Sequence, residues 1–428
     1  MTDMETRQQN KPPFVHDKIE LLSPAGDREK LAMAVLYGAD AVYLSGKEFG
    51  LRAAAGNFAA DELWDAVAFC HAHGVKAYVT LNTIPRNDEL PRLEEHIGIV
   101  ADSGADAVIV TDMGIFSMVK RLAPDLEIHI STQAGIANYE SARMWYDLGA
   151  KRVILARELS LDEIAWIRAK TPPGLDLECF VHGAMCVSFS GRCLLSDYLT
   201  GRDGNRGDCA QPCRWKYYLR EEKREGEYFE IEEYKEGTYI LNSKDLCAIR
   251  FLDKISEAGV SSLKIEGRAK SAYYAAATTY AYRGAIDDML NGLPFDEKWY
   301  EEVCKVSHRE YCDGFFFGRP SKPLSRYSDS SYIRDWFVVA VIEECDMMGN
   351  AVVRHKNHFR TGDELELLIP HGDTVTFTMG ELVDDTDGMP TDDAKHPHRL
   401  YRCRLPFPVP PFSILRKRDK RTGSLSHL

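Results

Sequence analysis

The sequence predicts an α/β protein, a TIM-like (β/α)8 barrel with a long cysteine-bearing insertion after strand seven, followed by a small C-terminal antiparallel β-barrel domain. Three observations predict it. Eight short apolar or β-branched runs alternate with amphipathic windows, over a span close to the ~250 residues a barrel needs. Polar or charged residues recur just after each run, where barrel loops carry chemistry. Beyond residue 336 the spacing of apolar residues changes to strict alternation, the mark of half-buried strands. An open, doubly wound sheet is the competing architecture.

The eight runs are residues 19–22, 41–44, 77–81, 107–111, 127–130, 152–155, 177–181 and 262–265. Between them, helices are predicted at 28–37, 60–73, 90–103, 139–148 and 161–170. Asn138 and Ser160 each stand one residue before a helix, where a side-chain oxygen caps free amides, and Asp61 puts an acid in a first turn. Gly38, Gly74, Gly104 and Gly149 follow helices as left-handed C-caps would. The connection between runs seven and eight, residues 181–261, is far longer than the others, and long excursions after barrel strands serve function. A longer helix is expected at 273–290, then a connector at 291–335 containing HREYCDGFFFGRP. FVVAVIEEC, NAVVRHKN, DELELLIP and TVTFTMGEL supply the strands of the last domain. The expected plan is a disordered tail at 1–18, the barrel domain at 19–290, the connector at 291–335, the β domain at 336–418 and a tail at 419–428.

Across 428 residues the net charge is -13, which argues against wrapping a long nucleic acid but leaves room for RNA at a local basic patch. The acidic stretch 221–236 reads as a solvated loop. Residues 1–18 are polar, and no later apolar run approaches the ~18 residues of a membrane span, so a cytoplasmic protein without a membrane partner is expected.

The 11 cysteines are unevenly spread: Cys186, Cys193, Cys209 and Cys213 crowd into one short stretch. Four thiolates complete either a zinc tetrahedron or an iron–sulfur cubane. Zinc sites more often pair closely spaced knuckles on both sides, and only Cys209 and Cys213 look like one. Zinc and unliganded packing thiols both remain open from spacing alone. Cys247, in LNSKDLCAI at what looks like a helix start, is the alternative fourth ligand or a buried free thiol. His182 lies four residues before Cys186, as a thiol peptidase could arrange, but no third orienting group is identifiable. Metalloprotease, serine-hydrolase, phosphate-loop and dinucleotide motifs are absent.

The motifs around this cluster carry a resemblance. Glu178-x-Phe180, His182-Gly183-Ala184-Met185-Cys186 and Ser190-Gly191-Arg192-Cys193-Leu194-x-Ser196 resemble the signature of the U32 (collagenase-like) peptidase family. LSPAGD, GADAVYLSG, STQ, ARELS, NSKDL, SLKIEGR, VSHRE and GFFFG extend the likeness over nearly the whole chain. Arg202-Asp203-x-Asn205 and Cys209-x-x-x-Cys213-Arg214-Trp215-Lys216-Tyr217 are most similar to the branch that hydroxylates tRNA.

The resemblance implies a [4Fe-4S] cluster on Cys186, Cys193, Cys209 and Cys213, with Cys247 as alternative to the last. It also implies conversion of the wobble uridine of tRNA to 5-hydroxyuridine, with prephenate as co-substrate. Peptidase activity, hydroxylation of another RNA or of a ubiquinone precursor, and a zinc-stabilised RNA-binding module remain alternatives. A homo-oligomer or a paralogous partner stays open. The two carboxylates of prephenate want cationic partners, for which Arg52, Arg157, Arg192 and Arg268 are the candidates. His182 is a candidate catalytic proton carrier or an orienting group. Glu178 is the second catalytic candidate, with pairing to Lys264 inside the barrel as its structural reading. For RNA, Arg202, Arg206, Arg214, Trp215 and Lys216 surround the cluster, and Arg354, His355, Lys356, Arg360 and the basic tail offer a second surface.

Overall fold

The computed structural model describes residues 18–51, 56–185, 195–202, 208–212, 244–318 and 332–419. Eight parallel strands close into a barrel: β1 (Glu20–Pro24), β2 (Ala41–Leu44), β3 (Lys76–Leu81), β4 (Ala107–Val110), β5 (Glu127–Ile130), β6 (Arg152–Ile154), β7 (Asp176–Ala184) and β9 (Ser262–Ile265). Each pairs with its neighbour, and β9 closes the ring by pairing parallel to both β1 and β7. The outer layer is α1 (Arg28–Leu36), α2 (Ala60–Ala72), α3 (Leu90–Asp102), α4 (Met113–Leu122), α5 (Tyr139–Asp147), α6 (Leu161–Lys170), α8 (Leu252–Glu257) and α9 (Ala272–Leu290), with the short α7 (Leu195–Thr200) on the excursion after β7.

Local chemistry sets these boundaries. Asn138 Oδ1 accepts from Ser141 N at 2.9 Å, and Ser160 with Glu163 forms a reciprocal capping box. Gly38, Gly74, Gly104 and Gly149 all have positive φ, as expected of helix-ending glycines. The period of two along the strands divides the interior. Residues such as Val42, Val79, Val108 and Val153 face the helices in one large core. Leu22, Ala41, Tyr43, Tyr78, Ala107, Ile109 and Ile154 form a separate cluster inside the barrel.

Two elements differ from expectation. Cys247 ends a strand, β8 (Asp245–Cys247), instead of starting a helix; this strand pairs antiparallel with the upper half of β7, His182 opposite Cys247. The connector is also structured: α10 (Glu297–Val303) packs on α9, and β10 (Tyr311–Cys312) adds to β8. Both are too short for a periodicity signal.

The C-terminal domain is antiparallel throughout: β11 (Trp336–Cys345), β12 (Asn350–His355), β13 (Phe359–Arg360), β14 (Glu364–Leu368), β15 (Val375–Thr378), β16 (Leu382–Asp384), β17 (Pro390–Thr391), β18 (Asp393–Ala394), β19 (Leu400–Arg404) and β20 (Ile414–Arg418). Eight of these form one sheet in the order β15-β14-β20-β11-β12-β19-β16-β17, and β13 pairs with β18. The sheet has β15 and β17 at its edges, with no closing pair among the described residues. Proline at the β17 edge suits a strand that need not donate.

Arg416, in the basic run 415–418 that the sequence offers as part of the second RNA surface, is instead fully buried. Its guanidinium grips Glu302 of α10 at 2.5 and 2.7 Å and Glu366 of β14 at 2.8 Å, tying the domain to the barrel. Tyr37, the C-cap of α1, adds hydrogen bonds to the carbonyls of Leu368 and Phe412. No described helix is long and apolar enough to cross a membrane.

Candidate active site

Inside the barrel, at the amino-terminal ends of the strands, sits an ionic layer. Arg152 donates to Glu20 at 2.5 Å, to Glu178 at 3.1 Å and to Ser262 at 3.2 Å. Lys264 Nζ meets Glu178 Oε1 at 2.9 Å, the pair expected of those two residues. Glu178 is wholly buried. Burial pushes the Glu20 carboxyl up, but the charge and hydrogen bonds of Arg152, with those from Tyr78 and Ser262, outweigh it and hold the pKa at about 2. All of Glu178's described partners are groups of this layer, which fits a residue that holds strands together.

The mouth of the barrel, at the carboxyl ends of the strands, carries the other candidates. Arg268 is buried just after β9 and donates from Nη1 to Thr80 Oγ1 at 2.8 Å, linking β9 to β3 across the mouth. Its carbonyl lies so close to Gly26 that a Cβ there would come within 2.1 Å of it, which explains the glycine of LSPAGD. Arg157 follows β6 and donates from Nη1 to Ala184 O at 2.9 Å, while its guanidinium lies 5.4 Å from the Phe180 ring centroid. Its Nε is buried and has no acceptor among the described residues. Gly183 has φ +107°, and a Cβ there would meet Glu266 O at 2.5 Å. Only glycine lets the end of β7 pass this close to the exit of β9.

His182 sits between these arginine-bearing ends, in an aromatic cage. Tyr282 OH is 3.3 Å from Nδ1 and Tyr311 OH 3.5 Å from Nε2, and Tyr274 packs with ring centroids 5.8 Å apart. Burial drives the His182 pKa down to about 3, against a partial opposing effect of Asp245. The imidazole is therefore neutral at physiological pH, placed to hydrogen-bond. Asp245, on β8, is held in turn by Arg309 at 2.6 Å, both side chains nearly inaccessible. Burial raises the Asp245 carboxyl, and Arg309 together with the charge of Lys270 more than offsets it. His308 stacks on Tyr311 at 4.2 Å, so the VSHRE segment braces the cage from outside.

Of the five thiols singled out, two lie among the described residues. Cys209 is half-buried, and its Sγ accepts the Gln211 N–H at 3.3 Å, across a turn where Gln211 takes φ +57°. Ser196 Oγ accepts from Ala210 N at 2.9 Å and anchors that turn to α7. A half-buried sulfur fixed on an anchored turn is placed as a metal or cluster ligand would be. Cys247 is buried beside Tyr282, and burial pushes its thiol up to about 12, the behaviour of a neutral packing thiol. Arg202 is exposed and paired with Asp208 at 2.7 Å. Arg52, Cys186, Arg192, Cys193, Arg206, Cys213, Arg214, Trp215 and Lys216 lie outside the described residues. Among the described residues no group of three or more His, Cys, Asp or Glu could hold a metal ion.

Residues 26–326 match the family described as Peptidase family U32, and residues 334–416 match the Peptidase family U32 C-terminal domain. The chain belongs to peptidase family U32. Among its relatives, tRNA hydroxylation protein P1 of Bacillus subtilis is 36% identical, over 94% of this chain and 95% of that one. The tRNA hydroxylation protein P of Escherichia coli is 37% identical, over 85% and 89%. The 23S rRNA 5-hydroxycytidine C2501 synthase of Escherichia coli is 41% identical over 64% of this chain, which spans 40% of that longer protein.

Within this U32 chain, sequence reasoning missed Tyr274, Tyr282, Tyr311, Asp245 and Arg309. Two of them were within reach: Asp245 lies in NSKDL and Arg309 in VSHRE, both motifs of the family likeness. The tyrosines carry no spacing signal, because the fold gathers them from α9 and the connector.

Proposed function

We propose that this chain is an RNA-modifying enzyme that hydroxylates the wobble uridine of tRNA to 5-hydroxyuridine, with prephenate as co-substrate and a [4Fe-4S] cluster as cofactor. The observation that carries the reading is the similarity, over nearly the full length of both chains, to two proteins named for tRNA hydroxylation. The geometry supports it by bringing arginines, an aromatic cage and the root of the cysteine-bearing excursion to one barrel mouth.

Cys186, Cys193, Cys209 and Cys213 would hold the cluster, with Cys247 the alternative for the fourth corner. When bound, a cluster supplies one-electron redox chemistry close to the reacting base. Arg157 and Arg268, with Arg52 and Arg192, would clamp the two carboxylates of prephenate. Arg157 suits that role because a buried guanidinium N–H without an acceptor costs free energy that an anionic ligand recovers. His182, neutral and caged, would orient substrate or the cluster loop by hydrogen bonding. The β8–β7 pairing would hold the returning arm of the excursion against the mouth and help exclude water.

The test is an anaerobic incubation of reconstituted protein with prephenate and an unmodified tRNA transcript, followed by nucleoside mass spectrometry. Appearance of 5-hydroxyuridine supports the reading. A colourless zinc protein that leaves the tRNA unchanged sinks it. Hydroxylation of ribosomal RNA fragments and not of tRNA moves the substrate to the class of the rRNA-modifying relative.

A further inference from the structure

A cleft of about 860 Å³ opens where α9 leaves the barrel mouth and meets β11 of the C-terminal domain. Its floor starts at Ala269, the residue after Arg268, and it shares Tyr274 with the cage around His182. The cleft therefore adjoins the barrel mouth.

Its lining departs from the character of the chain. The protein as a whole carries a net charge of -13, yet the cleft is lined by Lys30, Lys270, Arg334 and Lys356 against the single acid Glu29. Two of the cations are committed: Lys30 pairs with Asp27 and Lys356 with Glu29. Lys270 and Arg334 make no ion pair among the described residues. Both approach the same aromatic ring, Lys270 Nζ at 4.8 Å and the Arg334 guanidinium at 5.5 Å from the Tyr332 ring centroid. Arg334 is steadied there by Ser307 Oγ at 3.0 Å. Trp336 lies alongside, and Met33, Val338 and Val341 make the floor apolar.

Cations interleaved with accessible rings are what a single-stranded nucleic acid requires, phosphates pairing with the cations and bases stacking on the rings. An acidic peptide would use the cations but not the stacked arrangement. We infer that this cleft receives the single-stranded nucleotides flanking the base at the barrel mouth, with phosphates against Lys270 and Arg334 and a base against Tyr332. The inference rests on the RNA-modifying reading and adds to it the path of the RNA. It also assigns the C-terminal domain a function, since that domain supplies one wall.

The test uses the full-length protein and a fluorescently labelled, unmodified tRNA transcript, with binding followed by anisotropy over a series of salt concentrations. The variants are Lys270→Glu, Arg334→Glu and Tyr332→Leu, each checked for an unchanged thermal melt. Each charge reversal is expected to weaken binding by about tenfold and to flatten the plot of log affinity against log salt by roughly 0.7 to 0.9 for each phosphate no longer neutralised. Tyr332→Leu is expected to weaken binding by roughly fivefold or more and leave the slope unchanged, because stacking releases no counterions. A merely structural role would not produce that split.

Binding by all three variants within about twofold of the parent, with the same slope, overturns the inference. So does loss of poly-glutamate binding in the variants with tRNA binding intact, which would make the cleft a protein-docking site. If the parent hydroxylates tRNA while the variants bind it normally, the cleft assignment falls alone. If the parent binds no tRNA, the cleft and the RNA-modifying reading fall together.

Discussion

Replacing Glu178 with glutamine separates a structural from a catalytic role for the most deeply buried carboxylate of the barrel. The substitution keeps the shape and removes the charge. Arg152 keeps Glu20 at 2.5 Å, but Lys264 has no other carboxylate among the described residues and is left in a site where its side chain is 5% exposed. Removing one partner of a buried pair costs ~3–5 kcal/mol, because the remaining charge is uncompensated. The glutamine oxygen can still accept one hydrogen bond from Lys264, which puts the expected loss near the lower end of that range. For a domain of this size each kcal/mol lowers the midpoint by ~2–4 °C, so a fall of at least about 6 °C is expected by scanning calorimetry. Exchanging both partners, Glu178→Met with Lys264→Met, should recover most of the loss, since no buried charge is stranded and Arg152 stays with Glu20. Turnover of Glu178→Gln assayed well below its midpoint should persist. An unchanged midpoint together with abolished turnover would refute the structural reading and return Glu178 to the chemistry.

Three further outcomes follow from the geometry. His182 is neutral when folded and regains an ordinary pKa when unfolded, so the unfolded chain binds the extra proton and stability falls as pH drops from ~6.5 toward 3; His182→Gln should remove that part of the pH dependence, and urea midpoints with an identical pH slope would contradict it. Arg309→Met strands Asp245 in a buried position and should cost ~3–5 kcal/mol while loosening β8 from β7; faster hydrogen exchange at Ala248 N, which bonds to Val181 O at 2.9 Å, is the signature to measure, and unchanged exchange would exclude the bracing role. Arg157→Met should raise the KM for prephenate by at least about tenfold and change kcat less, whereas an unchanged KM would remove Arg157 from the carboxylate clamp.

Much of the architecture was legible because it rests on short-range signals. Strand runs 41–44, 127–130 and 262–265 coincide with β2, β5 and β9, and the caps at Asn138 and Ser160 act through the bonds their residue types imply. The Glu178–Lys264 pair was legible as well, since two opposite charges on inward-facing barrel positions must meet or remain unsatisfied. What escaped depends on tertiary structure. β8 and β10 are three and two residues long and gain their ladder hydrogen bonds only when β8 joins β7 and β10 joins β8. The His182 cage draws on residues more than 90 positions away. The basic run 415–418 read as part of a second RNA-facing surface, yet Arg416 is the best-buried cation in the described structure, because two carboxylates from separate elements converge on it. The motif residues fared better than composition at the mouth: Gly26 and Gly183 are needed by close approaches to Arg268 and Glu266 that no local rule would reveal.

The central claim is tested most directly by supplying the purified, anaerobically reconstituted protein with prephenate and an unmodified tRNA transcript and digesting the product to nucleosides for mass spectrometry. The account predicts that the wobble uridine gains one oxygen atom, that the gain requires prephenate, and that Cys209→Ala loses both the product and the brown colour of the protein. Unchanged uridine with a fully loaded cluster, or product formed equally well without prephenate or Cys209, would contradict it.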